Sequence, residues 1–366
     1  MDENIKLLHC LEEIPQAMED ILTNRKTISK EFVHLFQTKQ IRKIYFSGQA
    51  SGIYIGMILK YFIQDIFKIE VEITNPAEYV TYDSFNINGV YASNQLCMIC
   101  PAHSGSTKGP IEMAKKCNEL DIPVICTTYN IKSELAKLSN VVIHKRSNEE
   151  DSYIETKGHF ASLMCLYVCF IEYGLSSGFI SSENYTKYIN DLYSISMNIN
   201  NNIDLTEIWY ENNKNNLLLA PIIRYVTNGE YEGAVLEGGL KIAETTHKAC
   251  LYYEMEEFMH RSTTQINKDS VIFLVAPKNQ FYHRMIDLEK WCKQYSNSVY
   301  FVCRKEENNI NNSDFKIITT DSRYFSPLDY ILPFEVLAYL MSEDLNISVI
   351  KAANDGASAQ LKTHND

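Results

Sequence analysis

Short apolar runs alternate with segments of helical periodicity along residues 41–144. Each run is followed by a turn, and then by apolar residues spaced three and four apart, which indicates a helix. Alternation of strands and helices is typical of a parallel sheet with helices on both faces. The pattern therefore predicts an α/β unit with strands at residues 44–46, 69–73, 96–100, 124–127 and 141–144.

The same alternation starts again after a polar, asparagine-rich stretch at residues 175–215, which we interpret as the connection between two units. Cys100-Pro101 in the first half and Ala276-Pro277 in the second half both stand directly before a turn, 176 residues apart. This spacing indicates an internal duplication at the scale of a domain. The predicted strands of the second half are residues 222–226, 271–275, 299–303 and 315–319, and its predicted helices are 234–248 and 284–295.

The pattern predicts four regions. One or two amphipathic helices occupy residues 1–40, the first domain is 41–195, the second domain is 196–330, and a C-terminal helix and tail form residues 331–366.

The run Leu96–Cys100 ends at Pro101-Ala102-His103-Ser104-Gly105-Ser106-Thr107, and a helical pattern follows from residue 110. A strand, a turn rich in hydroxyls and glycine, and a helix N-terminus together suit a phosphate group, because backbone N–H groups and the helix dipole favour an anion. In a parallel sheet such a turn lies at the carboxyl ends of the strands, where ligands bind. The alternative is an ordinary polar turn whose hydroxyls only cap the helix. The second copy reads Pro277-Lys278-Asn279-Gln280-Phe281, without a phosphate turn.

Composition narrows the class of protein. The 366 residues carry a formal net charge of −12 and no basic cluster, which argues against a nucleic-acid partner. The acidic start does not resemble a signal peptide, and no apolar stretch approaches the length of a membrane span. The ten cysteines lie mostly in apolar runs, as in reduced cytoplasmic proteins, and Cys97 and Cys100 lack a second pair for a zinc site. We expect a cytoplasmic protein without metal or membrane.

The predicted helix of the second half carries Glu237, Lys241 and Glu244 on one face. A solvated face with two ion pairs would explain this spacing. The helix follows the turn at Asn228-Gly229, however, and a glutamate beside a lysine in a partly dry site can carry a proton. His247, which follows an acidic run, is interpreted as structural.

Four segments resemble the SIS (sugar isomerase) family, and most closely the isomerase half of glucosamine-fructose-6-phosphate aminotransferase and the fructosamine-6-phosphate deglycases. The resemblance implies two duplicated SIS domains, each a doubly wound, mainly parallel sheet. The segments are the entry helix Glu13-Ile14-Pro15, the first glycine turn Ser47-Gly48-Gln49-Ala50-Ser51-Gly52, the phosphate loop His103-Ser104-Gly105-Ser106-Thr107, and Leu236-Glu237-Gly238-Gly239-Leu240-Lys241-Ile242-Ala243-Glu244.

The resemblance also implies roles for individual residues. Glu244 corresponds to the family's base, and His260, sixteen residues later, to its ring-opening histidine; the Glu-x-x-His ending recurs at Glu257. No cofactor or metal is needed. The residues matched to substrate binding are Gly48, Gln49, Ala50, Ser51, Ala102, His103, Ser104, Ser106, Thr107 and Lys241.

The chain departs from the family at three places. Arg261-Ser262 replaces the usual Gly-Pro after the histidine, and the serine of the first turn falls on Ala50 or on Ser51. Glucosamine-fructose-6-phosphate aminotransferase also has a lysine in its C-terminal tail that can form an imine with the open sugar. Lys351 and Lys362 are the candidates here, and the surrounding residues match neither.

These roles lead to the expectation of a deglycase, which cleaves a ketosamine 6-phosphate to an aldose 6-phosphate and an amine or amino acid by moving a proton between C1 and C2. The family pattern starts at residue 41, so we expect no glutaminase domain to supply ammonia. The alternatives are a glucosamine-6-phosphate deaminase or an aldose–ketose isomerase with the same residues, and a non-catalytic sugar-phosphate regulator. Related proteins pair as dimers, and we expect a homodimer or a higher homo-oligomer.

Overall fold

The computed structural model describes residues 4–82, 84–147, 150–276, 279–304, 314–320, 322–351 and 356–364. The chain divides into two units. The first unit comprises residues 13–150, 155–196 and 353–366, and the second comprises residues 1–12, 151–154 and 197–352. Each unit contains one five-stranded sheet.

All strand pairs in the sheet of the first unit are parallel, and the strand order is 2-1-3-4-5. This order reverses direction between β1 and β3, which is the doubly wound arrangement predicted from the sequence, and the carboxyl ends on either side of the reversal frame a crevice for ligands. The strands are β1 (Lys43–Ser47), β2 (Glu70–Thr74), β3 (Leu96–Pro101), β4 (Val124–Thr128) and β5 (Val141–His144).

The sheet of the second unit repeats the first. Its strands are all parallel, and from the β7 edge they run β7-β6-β8-β9-β10, which is again the order 2-1-3-4-5. The prediction of two duplicated, doubly wound domains is confirmed. The strands are β6 (Ile222–Thr227), β7 (Ala249–Glu254), β8 (Val271–Val275), β9 (Ser298–Arg304) and β10 (Phe315–Ile317).

Helices surround both sheets. Those of the first unit are α2 (Ile14–Thr23), α3 (Arg25–Ile28), α4 (Lys30–Thr38), α5 (Ser51–Phe67), α6 (Pro76–Tyr82), α7 (Lys108–Glu119), α8 (Glu134–Leu138), α9 (Lys157–Ser176) and α15 (Ala357–Gln360). Those of the second unit are α1 (Ile5–Glu12), α11 (Glu232–Thr246), α12 (Met255–His260), α13 (Tyr282–Cys292) and α14 (Pro327–Asp344).

Helix α9 corrects one expectation. Among the described residues it is the single helix that is long and apolar enough to cross a membrane, whereas the sequence analysis expects no stretch of that kind. Nearly all of its residues are buried within the first unit, where Phe170 packs edge-on against Phe32 of α4. The high hydropathy therefore belongs to a central core helix that is covered on every side.

Two elements of the second half differ from the prediction. The prediction omits β7, an edge strand whose residues are exposed or only partly buried. The asparagine-rich stretch, interpreted as the connection between the units, lies mostly in α10 (Ser182–Leu219), one continuous helix that contributes residues to both units. Asparagine is tolerated there because its side chain bonds back to the helix, as Asn212 does to the carbonyl of Ile208 at 2.8 Å.

The grouping of the terminal helices differs from the predicted regions. Residues 13–40 belong to the first unit, and residues 331–351 belong to the second. The N-terminal region holds four helices, whereas one or two are predicted, and the C-terminal helix begins at Pro327. The predicted domain boundaries at 40, 195 and 330 stay a prediction.

Candidate active-site residues in the two units

The loop between β3 and α7 combines a glycine of positive φ with two neighbouring serine hydroxyls. Gly105 has φ +72°, and a Cβ built there would lie 2.2 Å from Oγ of Ser133, so the loop requires glycine. The Oγ atoms of Ser104 and Ser106 lie 2.8 Å apart, and both side chains are partly exposed. Thr107 is the N-cap residue of α7, but its side chain makes no capping hydrogen bond. Helix capping by Thr107 therefore does not account for the hydroxyl-rich loop.

The first glycine turn lies next to this loop, because β1 and β3 pair with Phe46 opposite Ile99. Gly48 and Ser51 are buried in this turn, and Gln49 is exposed. Ala50 has φ +49° and ψ −124°, a backbone conformation that costs an alanine about 1–3 kcal/mol. Strain of this size is typical of functional turns.

Ala102 and His103 begin the phosphate loop. The backbone N–H of Ala102 donates to Thr127 at 3.0 Å, and the carbonyl of His103 accepts from Oγ1 of Thr128 at 2.7 Å. The imidazole of His103 contacts two residues that the sequence analysis did not select, Lys145 and Glu155. Lys145 and Glu155 lie in none of the four segments that resemble the family, and neither residue stands out by its spacing. The sequence therefore offered no signal for them.

The C-terminal tail pairs with the start of α7. Thr107 forms an antiparallel bridge with His364, and the backbone N–H of Lys108 donates to the carbonyl of Thr363 at 2.9 Å. Lys362 directly precedes the two residues that pair with the start of α7, next to the phosphate loop. It belongs to the same unit as that loop. Lys351, the other candidate, belongs to the second unit.

Helix α11 of the second unit carries Glu237, Lys241 and Glu244 on one face, as expected, but this face is not solvated. The side chains of Glu237 and Lys241 are 0% and 2% exposed, and that of Glu244 is 32% exposed. Nζ of Lys241 lies 3.3 Å from Oε1 of Glu237 and 3.1 Å from Oε2 of Glu244. One buried ammonium therefore holds two carboxylates, of which only Glu244 reaches solvent.

Tyr153 adds a contact to Glu244 that the sequence analysis missed. Its hydroxyl donates to the backbone carbonyl of Glu244 at 2.8 Å. Burial and the charge of Glu244 raise the pKa of the Tyr153 hydroxyl, against a lowering by Lys241. Tyr153 lies far from α11 in sequence, so spacing could not have identified it.

His260 is the last residue of α12 and is exposed. Glu254 caps this helix by accepting from the backbone N–H groups of Glu256 and Glu257 at 2.7 and 3.0 Å. After His260 the chain enters a 3₁₀ turn at Ser262–Gln265, in which the backbone N–H of Thr264 donates to Arg261 at 3.0 Å. Arg261-Ser262 thus opens a defined turn where the family has Gly-Pro.

The carboxyl end of the second sheet frames a cavity of about 620 Å³. Among the described residues, Glu230, Glu254 and Glu256 line it together with Arg323, whose Nε lies 3.7 Å from Oε1 of Glu230. Gln280 and Tyr282 lie 176 residues after Ser104 and Ser106, and Pro277 and Lys278 of the predicted turn lie outside the described residues.

Cysteine chemistry is absent from both sheet ends. All ten cysteines are free, and burial raises the pKa of the Cys97 and Cys100 thiols, which disfavours the thiolate needed for redox or metal chemistry. In the described parts of the chain, no group of three or more His, Cys, Asp and Glu side chains is placed to hold a metal ion.

Comparison with known proteins gives a consistent picture. No family model matches the chain. The glutamine–fructose-6-phosphate aminotransferase (isomerizing) of Caldanaerobacter subterraneus subsp. tengcongensis is 22% identical over 98% of this chain, which spans 59% of that protein. The chain thus covers little more than half of this curated relative.

Solved structures share the fold over nearly the whole chain. A protein assigned as a phosphosugar isomerase from Clostridium difficile 630 superposes with a TM-score of 0.87 at 22% identity, covering 98% of this chain and 99% of that one. The C-terminal domain of glucosamine-fructose-6-phosphate aminotransferase from Francisella tularensis gives 0.82 at 17% identity, covering 94% and 97%. Glucosamine-6-phosphate deaminase from Thermotoga maritima gives 0.68 at 16% identity, covering 93% and 98%. With its two duplicated sheets, the chain has the same fold as these proteins and is similar over nearly its whole length to part of the aminotransferase.

Proposed function

We propose that this chain is a phosphosugar enzyme that moves a proton between C1 and C2 of an open-chain 6-phosphosugar. The observation that carries the proposal is the buried Lys241 between Glu237 and Glu244, which leaves Glu244 as the one carboxylate of the three-residue face in contact with solvent. A carboxylate in a partly dry setting beside a fixed ammonium is suited to proton transfer.

The phosphate is assigned to the first unit. The hydroxyls of Ser104, Ser106 and Thr107, with Ser51 and the imidazole of His103, supply donors around the N-terminus of α7. The backbone of the first turn, at Gly48, Gln49 and Ala50, and that of Ala102 complete the set. Holding the phosphate fixes the far end of the sugar, so the reacting carbons are presented in one orientation.

The reaction that we favour is a deglycation. His260 moves a proton between the ring oxygen and the anomeric hydroxyl, which opens the ring. Glu244 removes a proton from C1 of the ketosamine, and its return to C2 leaves a C1 imine. Water adds to this imine and the amine departs, giving an aldose 6-phosphate. Every step needs only bases, acids and water, so no cofactor or ammonia source is required.

Two other reactions use the same proton transfer. Deamination of glucosamine 6-phosphate is supported by the shared fold of the Thermotoga maritima deaminase, and aldose–ketose isomerisation by that of the Clostridium difficile protein. A regulator that binds sugar phosphate without turnover would need the loop of the first unit but not the buried pair on α11. We therefore favour an enzyme.

Lys362 is our candidate for the tail lysine. It lies in the segment that pairs with the start of α7, in the same unit as the phosphate loop, whereas Lys351 belongs to the other unit. We also propose a homodimer or higher homo-oligomer, which light scattering tests. The ten free thiols favour the reducing cytoplasm as the location.

A panel of Amadori 6-phosphates, glucosamine 6-phosphate and fructose 6-phosphate, incubated in deuterated water, tests the function. We expect deuterium at C1 or C2 and release of amine from an Amadori 6-phosphate. Release of ammonia from glucosamine 6-phosphate alone would favour the deaminase. Binding without deuterium incorporation from any of these compounds would leave the regulator.

A further inference from the structure

The C-terminal tail reaches the phosphate loop along a defined backbone path. Lys362, two residues after helix α15, has φ +51°, a left-handed conformation that often ends a helix. The chain turns there, and the next two residues, Thr363 and His364, pair with the start of α7. The first glycine turn lies at the same helix end, because a Cβ built at Gly109 would lie 3.4 Å from Cδ of Gln49. Tail, loop and glycine turn therefore meet at the N-terminus of α7.

The first turn of α7 has few backbone donors left for an anion. The backbone N–H of Lys108 donates to the carbonyl of Thr363 in the tail at 2.9 Å. Pro110 has no N–H group, and the N–H of Ile111 donates back into the helix start at 3.4 Å. Of the first four residues of α7, Gly109 alone keeps a backbone N–H for a ligand. An anion at this helix end therefore relies mainly on side-chain donors.

Thr107 and His364 form the closer kind of antiparallel pair. The backbone hydrogen bond from Lys108 to Thr363 flanks their bridge, so Thr107 and His364 themselves are a non-hydrogen-bonded pair. In such a pair the Cα atoms lie about 4.5 Å apart, and the two side chains project from the same face. The imidazole of His364 therefore projects on the same side as the hydroxyl of Thr107, which makes no capping hydrogen bond to α7.

One ring nitrogen of His364 is held by the tail, and the other is open. Nδ1 lies 3.0 Å from Oγ1 of Thr363, whereas Nε2 has no hydrogen-bond partner among the described residues. The residue is exposed. Nε2 carries a proton in the imidazolium and in one neutral tautomer, so it can donate whether or not the ring is charged. His364 thus offers a side-chain donor at a helix end that has few others.

We propose that His364 is a further binding residue for the phosphate of the ligand, and that its Nε2 donates to a phosphate oxygen beside Thr107. The presence of a phosphosugar in this loop rests on the proposed function. A phosphate monoester carries three strongly accepting oxygens and a charge of about −1.5 to −2 at pH 7, so it gains more from an added donor than a sugar hydroxyl does.

Two variants of similar size test which ring atom makes the contact. The amide nitrogen of His364→Gln reaches the place of Nε2, whereas that of His364→Asn reaches only the place of Nδ1. Calorimetry on the full chain should find the affinity for fructose 6-phosphate lowered about tenfold in His364→Asn and less than about threefold in His364→Gln. Inorganic phosphate should give the same ranking. Gln360→Ala, at an exposed position of α15, is the control and should bind as wild type does.

Proton NMR gives a direct readout of the contact. The ring signals of His364, assigned by their absence in His364→Gln, should shift when fructose 6-phosphate or inorganic phosphate is added. If His364→Asn bound both ligands as Gln360→Ala does and these signals stayed in place, the contact would be overturned and the proposed function left intact. Equal losses of affinity in the two His364 variants would overturn the assignment to Nε2. Failure of wild type to bind any phosphosugar would contradict the proposed function and this inference together.

Discussion

The carboxyl ends of the two sheets have the same strand order and opposite chemistry. In the first unit, Gly105 and two serine hydroxyls form a loop at the N-terminus of α7, with the Lys145 ammonium buried behind it. In the second unit, the described residues at the corresponding edge frame a cavity whose charged lining is three glutamates and one arginine. Duplication preserved the scaffold, while the side chains at the strand ends diverged.

The difference shows that a duplicated fold does not duplicate a site. Helix α11, which follows β6, carries the charged residues Glu237, Lys241 and Glu244. The corresponding helix of the first unit, α5, is rich in isoleucine and aromatic residues. In our proposal the first copy therefore binds the phosphate and the second copy supplies the base.

The largest expected effect is on turnover. Glu244→Gln keeps the size of the side chain but cannot accept a proton, so we expect turnover to fall about 1,000-fold, within the range for loss of a general base. Fructose 6-phosphate should still bind. Glu119→Gln, an exposed change at the end of α7, is the matched control and should leave turnover unchanged. Equal turnover in the two variants would remove Glu244 from its role.

The converse variant should lose binding. Ser104→Ala with Ser106→Ala removes two hydroxyl donors, each worth about 1.5–3 kcal/mol toward a charged group, so affinity for fructose 6-phosphate should fall at least about 100-fold. Asn279→Ala with Thr320→Ala, at the second sheet, is the control, and calorimetry should find its affinity unchanged. If the control variant lost the affinity instead, the phosphate would belong to the second unit.

Two glycines of positive φ allow the loops at the two sheet ends to be compared: Gly105 follows β3, and Gly229 follows β6. Gly105→Ala meets both an unfavourable φ and Ser133, and should lower the midpoint of thermal unfolding by an amount equivalent to about 3 kcal/mol. Gly229, with φ +65°, has no atom within 4 Å of a built Cβ, so Gly229→Ala should cost only about 1 kcal/mol. Scanning calorimetry distinguishes the two, and similar losses would contradict the tight fit of the first loop.

Nine of the ten strands that the structure describes could be predicted from the alternation of short apolar runs with helical segments. Edge strand β7 was missed. Its residues are exposed or only partly buried, so its sequence lacks the continuous apolar run of a central strand. The spacing of Glu237, Lys241 and Glu244 predicted that they share one face of α11. It could not predict that this face is buried, because a solvated helix has the same spacing. Lys145, Glu155 and Tyr153 reach their partners through tertiary packing alone, and no local pattern reports that.

The second sheet end should respond to pH through Asp329, the buried carboxyl that holds the loop at Thr320 by accepting from its backbone N–H at 2.8 Å. Burial raises the pKa of Asp329 to about 7, against a lowering by the bonds from Thr320. The unfolded chain releases this proton near pH 4, so the folded form loses stability as pH rises from there to 7.

Between pH 5.5 and 7 this loss amounts to about 2 kcal/mol, at about 1.4 kcal/mol per pH unit. Asp329→Asn keeps an acceptor for Thr320 and has no proton to release, so its thermal midpoint should fall less over the same range. Denaturation followed by tryptophan fluorescence reports on the second unit, where Trp209 and Trp291 lie. If the thermal midpoints of wild type and Asp329→Asn changed equally between pH 5.5 and 7, Asp329 would be ionised over that whole range.

The smallest effect should come from Ala50, the strained residue of the first turn. Glycine adopts φ +49° and ψ −124° without a Cβ penalty, so Ala50→Gly should relieve part of the strain, offset by the greater entropy of glycine in the unfolded chain. The net gain in stability should be at most about 1 kcal/mol, measured by chemical denaturation. Its effect on affinity for fructose 6-phosphate is the informative readout. If the strain holds the backbone in place for the phosphate, then Ala50→Gly stabilises the unit while weakening binding a few-fold; tighter binding would show that the strain opposes the ligand.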